Sequence, residues 1–318
     1  MHYTPAQLHI PDGFLSLIVS LVSWAISAVI LSLAVSRTNK SLGESQVPLL
    51  GIMAAFIFAA QMINFPVAGG TSGHLLGGAL AAIVLGPWAA MLVMTAVISV
   101  QALLFQDGGL LVMGANLLNM GLLTAAIGYG LYRAVYGRSR SVKLVTAGVA
   151  AWLSVMAGAL ATALQLWLSG TSDLQAVVLA MLGVHALIGI GEALITVAAL
   201  TFIFQTRPDL LDEKAASRQS GRGWVFVGIL ISLAVVLLSP LASANPDGLE
   251  RVAMDLGFIK AGQSAPFEII PDYSVTFLGN TPLSTVLAGL AGVLFVLGLI
   301  FLAGKTLQRK SQIENRQS

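Results

Sequence analysis

The chain has 318 residues, of which 57% are hydrophobic and 9% charged, with a formal net charge of +2 and no cysteine. Because soluble domains have about a quarter of their residues charged, this composition excludes an ordinary soluble protein and indicates a multi-pass membrane protein. The absence of cysteine excludes disulfides and thiolate chemistry, so any metal must bind through nitrogen or oxygen. Residues 1–13 also lack the Lys and Arg with which a cleavable signal peptide begins.

Nine apolar segments, most of them about as long as a bilayer crossing requires, follow one another along the chain. We predict helical spans at residues 14–35, 48–65, 74–87, 88–106, 110–132, 144–168, 175–204, 224–242 and 283–303. The third is the shortest and is separated from the fourth by Gly86, Pro87 and Trp88. We therefore expect it to be tilted, partly re-entrant or buried behind other helices.

The distribution of Lys and Arg sets the predicted orientation, because cytoplasmic loops accumulate basic residues. With the N-terminus outside and the C-terminus inside, 14 of the 16 basic residues lie in the inner segments, which are 36–47, 133–143, 205–223 and the C-terminal tail. The other two lie in an outer loop that also carries five acidic residues. The predicted fold class is an all-α polytopic membrane protein with about nine transmembrane helices, N-out and C-in.

A polar, charged stretch at residues 205–223 divides the chain into two modules. We predict a seven-span module at residues 1–204, a cytoplasmic linker at 205–223, and a two-span module at 224–318. The two spans of the second module flank the outer loop 243–282. The second module therefore presents its loop on the same side of the membrane as the N-terminus.

Two of the four histidines lie beside unusual sequence at the predicted outer face. His9 precedes the first span, and His74 ends a glycine-rich segment that starts at Asn64 and joins the second and third spans. Because both lie on one side of the membrane, they can meet in one pocket, and neutral imidazole suits nickel, cobalt, copper and zinc. The alternative is a tight loop with an interfacial histidine.

Four motifs in order resemble the CbiM/NikM family, the substrate-binding components of nickel and cobalt energy-coupling-factor transporters. They are His-Ile-Pro-Asp-Gly-Phe-Leu-Ser at 9–16, the segment 64–78, Gly-Ala-Asn-Leu-Leu-Asn-Met-Gly at 114–121 and Gly-Glu-Ala-Leu-Ile-Thr at 191–196. The second module is similar to the small partner subunit of the same systems, through Pro-Asp-Gly-Leu-Glu-Arg-Val at 246–252 and Pro-Asp-Tyr at 271–273. The resemblance therefore implies a fusion of both parts.

The resemblance also implies a metal site. Carried over from the family, the ligands are His9 and His74, with the terminal amine belonging to residue 8, and four nitrogens in a plane match Ni(II). Seven residues precede Leu8 in this sequence, so Leu8 has no free amine as written. Three hypotheses follow: translation starts at codon 8, a peptidase removes residues 1–7, or Met1 and His2 of the extension fold back to supply the amine and an imidazole.

Other polar residues near these segments have an ordinary interpretation beside a functional one. Second-shell hydrogen bonds to a ligand imidazole are open to Asn64, Ser72, Gln101 and Asn116, although hydrogen bonds between helices are the favoured explanation of such residues. His185 and Glu192 share one face of the seventh span. We interpret them as a buried pair that joins helices, deeper than the outer pocket, with a coupling role as the alternative. Asp12 and Asp107 are predicted outer carboxylates that could attract cations, and a solvated loop charge is the default interpretation.

The function implied is the substrate-specific membrane component of an ATP-driven importer of divalent nickel in a bacterial inner membrane. Cobalt import that feeds cobalamin synthesis is the alternative. The ion is the substrate and no cofactor is expected. The implied partners are a separate transmembrane coupling subunit, cytoplasmic ATPase subunits and lipid, with no nucleic acid. The chain contains no phosphate-binding loop, so we expect no enzyme activity.

Two rival functions stay open. Gly70-Thr71-Ser72-Gly73 matches the Gly-x-Ser-Gly pattern of rhomboid proteases, with His185 as the base for Ser72, but this remote alternative leaves the four family motifs unexplained. A self-contained secondary transporter would have only His185 and Glu192 as ionisable groups within its spans.

Overall fold

The computed structural model describes residues 9–41, 46–211 and 223–317. The predictions for Met1, His2 and Leu8, and for most of the linker at 205–223, lie outside these residues. Within them the chain is mostly helical, as predicted.

The elements follow one another in the order expected from the apolar segments. They are α1 (Leu17–Ser41), α2 (Val47–Gln61), β1 (Phe65–Val67), β2 (Thr71–Gly73), α3 (Gly78–Leu85), α4 (Pro87–Phe105), α5 (Met113–Asn116), a π-helical segment (Leu117–Leu123), α6 (Thr124–Arg133), α7 (Arg140–Leu168), α8 (Leu174–Thr206), α9 (Gly223–Leu238), α10 (Gly248–Asp255) and α11 (Pro282–Gln317). Short 3-10 turns lie at Pro208–Leu210, Ser239–Leu241, Ile259–Ala261, Pro271–Tyr273 and Thr276–Leu278.

Six of the described helices are long and apolar enough to cross a membrane, namely α1, α4, α7, α8, α9 and α11. The other three predicted spans are shorter or interrupted. α2 has 15 residues, and the fifth segment is divided by the π-helical segment between α5 and α6. The chain is therefore a multi-pass helical membrane protein, and the count of nine crossings stays a prediction.

Glycine and proline residues at both ends of α3 explain why the third predicted span is short. α3 has eight residues, about 12 Å of helix, which is too short to cross the bilayer. Gly77 and Gly86, both with φ near +80°, stop the helix at each end, and Pro87 starts α4 at once. All of α3 except Leu85 is buried, so the interpretation that this segment is buried behind other helices is confirmed.

The glycine-rich segment before His74 forms a β-hairpin, the one departure from the predicted all-α class among the described residues. β1 and β2 pair antiparallel, with Phe65 opposite Gly73 and Val67 opposite Thr71. Gly69 and Gly70 turn the chain with positive φ angles of 83° and 69°, which a residue with a Cβ adopts only under strain. The hairpin fixes the direction in which the chain reaches His74.

The long helices bury small residues against one another and turn large apolar side chains outward. Alanines such as Ala54, Ala81 and Ala151 are fully buried, which lets helix backbones approach closely. Large side chains including Ile18, Leu194 and Leu294 are two-thirds or more exposed. Apolar surface of this extent is unusual on a soluble protein and suits a lipid environment.

The loops predicted on the outer side meet at one end of the bundle, which we call the loop end (residues 9–16, 62–77, 106–112, 169–173 and 239–281). A second apolar cluster lies there, in which Ile10 and Phe14 pack with Leu249 and Val252 of α10. The Phe14 ring also meets Phe258 edge-on at 5.1 Å. The loop of the second module thus covers the N-terminal segment of the first.

Candidate metal centre

The segment that carries His9 is held by hydrogen bonds to the chain around residues 109–116. The Ile10 N–H donates to Asn116 Oδ1, and Asn116 Nδ2 donates to the Ile10 carbonyl, both at 3.0 Å. The Asp12 carboxylate accepts the backbone N–H groups of Leu110 and Val112 at 3.0 and 3.1 Å. Asp12 is therefore a structural clamp, and its interpretation as a solvated loop charge is wrong.

His9 itself is buried, with 1% of its surface exposed. Its Nδ1 lies 3.1 Å from the Asp107 carbonyl and 3.5 Å from Asp107 Oδ1. In the neutral tautomer, the Nδ1–H donates to that carbonyl and leaves a lone pair on Nε2. Within the described residues, His9 Nε2 has no hydrogen-bond partner. An imidazole held through Nδ1 with Nε2 available is the usual arrangement of a metal-binding histidine.

His74 is fixed by the backbone that follows it. Its Nδ1 lies 3.0 Å from the Leu75 carbonyl, so the same tautomer argument places the lone pair on Nε2. The next two backbone N–H groups, of Leu76 and Gly77, donate to the two oxygens of Glu192 at 2.6 and 2.9 Å. Glu192 therefore anchors the chain after His74 from α8, which agrees with its interpretation as a structural residue.

The two histidines meet at the loop end. Their ring centroids lie 5.7 Å apart, with the rings at 71° to each other, and both line a cavity of about 70 Å³. Imidazole nitrogen is a preferred donor for divalent nickel, cobalt and zinc. No group of three or more His, Cys, Asp or Glu in the described part of the chain could hold a metal ion. A metal at His9 and His74 would therefore need further donors.

His185 lines the same cavity, so its placement deeper than the pocket is wrong. α8 starts at Leu174 at the loop end and reaches His185 after 11 residues, about 16 Å along the axis. His185 Nδ1 faces the Met181 carbonyl at 2.8 Å. Glu192 instead accepts the backbone N–H groups of Leu76 and Gly77, which follow the hairpin. The two residues share a helix, and each has a different partner.

The second module contributes to the same cavity through the start of α10, which sequence reasoning missed as a site element. Asp247 and Gly248 are among its lining residues. A Cβ on Gly248 would lie 3.2 Å from His185 Nε2, so the glycine lets the backbone pack on the imidazole. Burial raises the pKa of Asp247 well above its ordinary value, which the hydrogen bond from the Glu250 N–H partly offsets. The Pro-Asp-Gly-Leu-Glu motif at residues 246–250 was the sequence signal that could have identified these two lining residues.

The remaining candidates for a second shell have different positions. Asn116 binds the backbone next to His9, and Asn64 lines a separate cavity. Gln101 is fully buried in α4, and its side-chain amide has no hydrogen-bond partner within the described residues. Ser72 Oγ donates to the carbonyls of Asn245 and Pro246 at 2.8 and 3.2 Å, so the described part of the chain shows this hydroxyl directed at the second module and not at an imidazole. Asn116 also lines the histidine cavity, and the hydrogen bonds described for Ser72 and Asn116 go to backbone groups and not to an imidazole.

A hydrogen-bonded chain links the second module to His9. The Tyr273 hydroxyl donates to Asp107 Oδ2 at 2.6 Å, and the other oxygen of Asp107 lies near His9 Nδ1. Asp107 is 3% exposed, so its interpretation as a solvated loop charge is wrong. Burial, followed by the charge of Asp107, raises the pKa of Tyr273 well above its ordinary value. The raised pKa keeps the Tyr273 hydroxyl protonated, as the donor of this hydrogen bond.

The fold and the site define a multi-pass helical membrane protein with an imidazole-lined cavity at one end, closed by a second module of the same chain. Residues 9–210 match the family described as "cobalt uptake substrate-specific transmembrane region", and residues 222–309 match the PDGLE domain. The first match covers more than half of the chain, so the protein belongs to the CbiM family, with a PDGLE domain fused behind it.

Relatives with the same two-module extent are among the similar proteins. The "Putative fused nickel transport protein NikMN" of Archaeoglobus fulgidus is 35% identical over 304 residues, which cover 92% of this chain and 97% of the relative. The "Fused nickel transport protein NikMN" of Rhodobacter capsulatus is 29% identical, over 93% and 97%. A crystal structure of a transition metal transporter is 33% identical with a TM-score of 0.57, and covers 67% of this chain and all of that one.

Proposed function

We propose that this chain is the substrate-specific membrane component of an ATP-driven energy-coupling-factor importer of divalent nickel. The observation that carries the proposal is the meeting of His9 and His74 in one buried cavity. The relatives that span both modules are named as nickel transport proteins. A metal-binding role also explains why the imidazoles of His9 and His74 are buried, each with Nδ1 directed at a backbone carbonyl.

The proposed coordination uses nitrogen alone. His74 supplies Nε2, His9 supplies its imidazole and its backbone nitrogen, and an amine completes a planar set of four nitrogens suited to Ni(II). That amine belongs to residue 8 if translation starts there or a peptidase removes residues 1–7. Otherwise Met1 and His2 supply the amine and an imidazole. Two side-chain ligands alone are too few, so the proposal requires a donor from the N-terminal segment.

The proposed topology places the loop end outside and the C-terminus inside, with nine crossings in a bacterial inner membrane. It is supported by the basic residues in the segments away from the loop end. The first module (1–204) captures the ion, and the second (224–318) follows the linker 205–223. A separate transmembrane coupling subunit and cytoplasmic ATPases would supply the energy, because the chain contains no phosphate-binding loop of its own.

Cobalt is the alternative ion, supported by the description of the family that matches the first module. Nickel is preferred because the relatives that span both modules are named for nickel and because planar nitrogen coordination suits Ni(II). A rhomboid-type protease would need Ser72 to bond an imidazole, and the carbonyls that its hydroxyl faces argue against that role.

The test is uptake of radiolabelled nickel and cobalt by cells that express this chain with its coupling and ATPase subunits. We expect nickel uptake in the wild type, its loss in His74→Ala, and most of it kept in Ser72→Ala, with equal amounts of each protein in the membrane. N-terminal sequencing of the purified chain decides the source of the amine. Cobalt uptake with little nickel uptake would make cobalt the transported ion. Full nickel uptake in His74→Ala would refute the metal site.

A further inference from the structure

One carboxylate of the second module lies in the wall of the cavity that holds His9 and His74, which is the histidine cavity. Among the described residues that line this cavity, Asp247 alone has an acidic side chain. It is 3% exposed. The other polar side chains in the wall are imidazoles, amides and a hydroxyl. The acidic group of the histidine cavity is therefore supplied by the second module.

The hairpin that leads to His74 fixes the position of Asp247. The carbonyl of Pro246, the preceding residue, accepts the Ser72 N–H at 2.8 Å and the Thr71 hydroxyl at 3.0 Å. The Ser72 hydroxyl donates to the same carbonyl at 3.2 Å. Because β2 ends one residue before His74, these bonds tie the aspartate to the strand that carries a proposed ligand. Two of the three bonds remain when the Ser72 hydroxyl is removed.

Asp247 also has an ordinary structural role, which its charge does not serve. It is the N-cap of α10, and its Oδ1 accepts the Glu250 N–H at 2.6 Å. Asparagine and serine cap helices about as well as aspartate, and neither brings a carboxyl group into a buried site, where its charged form is costly. The cap thus explains a polar side chain at this position and leaves the acid unexplained.

The buried acid has no cationic partner in the described part of the chain. None of the ion pairs found there includes Asp247. Burial, followed by the charges of Glu250 and Asp107, opposes its ionised form and raises its pKa. A cation in the histidine cavity would counter these effects, because a nearby opposite charge favours the carboxylate. The surroundings of Asp247 therefore lack the one group that the cavity is proposed to hold.

We propose that Asp247 compensates the charge of the divalent ion at the histidine cavity, from beside the coordinating nitrogens and not as a ligand. The inference rests on the proposed function. A divalent ion that loses its water in a buried site requires negative charge nearby, and neutral imidazoles supply none. The described residues contain no group of three or more His, Asp or Glu able to hold a metal, which agrees with a carboxylate outside the coordinating set.

Asp107 is the other buried carboxylate near the histidines, and its contacts give it a different role. Its Oδ2 accepts the Tyr273 hydroxyl at 2.6 Å, and its Oδ1 lies 3.5 Å from His9 Nδ1. Asp107 thus orients the His9 ring from behind. Asp247 approaches from the second module, so the two carboxylates act on the site through different elements.

The first test is equilibrium dialysis of radiolabelled nickel against the purified full chain in lipid nanodiscs. We expect the nickel dissociation constant to rise roughly tenfold or more in Asp247→Asn and in Asp247→Ser, because charges in a buried site interact strongly. Both variants keep the cap, so their melting temperatures without nickel should stay close to wild type.

The matched control is Asp173→Asn. Asp173 is the N-cap of α8 and accepts the Ala176 N–H at 3.1 Å, which is the same kind of bond at the same end of the molecule. It is exposed, so solvent and salt screen its charge. We expect nickel affinity in this variant to stay within about twofold of wild type.

Two further measurements separate the charge from the cap and from direct coordination. Asp247→Ala removes the cap as well, so it should melt at lower temperature while losing about as much nickel affinity as Asp247→Asn. Wild-type affinity in the Asn and Ser variants, with a loss in the Ala variant alone, would overturn the inference and leave Asp247 as a cap. At saturating nickel, wild type and Asp247→Asn should have the same visible absorption bands, and a shifted spectrum would contradict a position outside the coordinating set.

Failure of the proposed function gives a different result. It appears as normal nickel binding in His74→Ala, whatever the Asp247 variants do. Nickel binding that is lost in His74→Ala and unchanged in Asp247→Asn would keep the metal site and refute the role of Asp247.

Discussion

Asn116 determines whether His9 is held in the metal cavity, and its replacement by leucine tests that dependence. The change keeps a similar side-chain size and removes both hydrogen bonds to Ile10. The Ile10 carbonyl retains the Gly109 N–H at 2.9 Å, whereas within the described residues the Ile10 N–H donates to Asn116 Oδ1 alone, at 3.0 Å. Leaving that buried N–H unpaired costs about 1–3 kcal/mol.

The free-energy cost of the unpaired Ile10 N–H sets the expected loss of nickel affinity. If the N-terminal segment leaves the cavity in the variant and must return to bind the ion, the whole penalty opposes binding. At about 1.4 kcal/mol for each factor of ten, we expect the nickel dissociation constant of Asn116→Leu to rise roughly fivefold to 150-fold. Equilibrium dialysis of radiolabelled nickel against the chain in nanodiscs measures this constant.

Asn119→Leu is the matched control, three residues further along the same helical segment. Asn119 bonds the side chains of Thr162 and Gln165 on α7, so its loss weakens helix packing and leaves the His9 segment in place. We expect both variants to melt at lower temperature and only Asn116→Leu to lose nickel affinity by this factor. Normal affinity in Asn116→Leu, or an equal loss in Asn119→Leu, would show that the hydrogen bonds to Ile10 do not position the ligand.

Three further predictions concern the same end of the molecule. A Cβ at position 109 would overlap the backbone and carboxylate of Asp12, so Gly109→Ala should abolish nickel binding in dialysis, while Gly130→Ala, where the space is open, should bind normally. His185→Ala should keep nickel uptake within about tenfold of wild type, because the planar set of four nitrogens is complete without it; a complete loss would make it a ligand. Since burial raises the pKa of Asp272 to about 6, the folded state holds this proton more tightly than the unfolded chain. The resulting stabilisation is complete below pH 3.8 and lost as the pH rises through 6, so the melting temperature of wild type should fall relative to Asp272→Asn between pH 4 and 7, and a constant difference would contradict it.

The apolar segments could be located from the sequence because span length and hydropathy are local properties. The ends of α3 follow from the same local logic, since Gly77, Gly86 and Pro87 stop one helix and start the next. The hairpin before His74 was missed, because its residues were interpreted as a glycine-rich loop that joins the second and third spans. The motif around residues 64–74 nevertheless marked the correct place.

The candidate histidines were found partly by residue type and partly by resemblance to a family. Their predicted position on one side of the membrane matches the structure, in which His9 and His74 meet. The interpretation failed for Asp12 and Asp107, because neither the hydrogen bonds of Asp12 nor the burial of Asp107 can be inferred from loops that look solvated. It also failed for His185, because depth in a membrane protein depends on where a helix starts relative to its neighbours.

The sequence alone determined that this is a membrane protein and which segments are helical, because these follow from local composition and residue chemistry. Metal binding by particular histidines stays a prediction. Only the tertiary structure decided which groups surround those histidines. The contact of His9 with Asp107 joins residues 98 positions apart, and that of Tyr273 with Asp107 joins residues 166 apart. Burial and hydrogen bonding across such separations depend on how the helices pack, which no local pattern encodes.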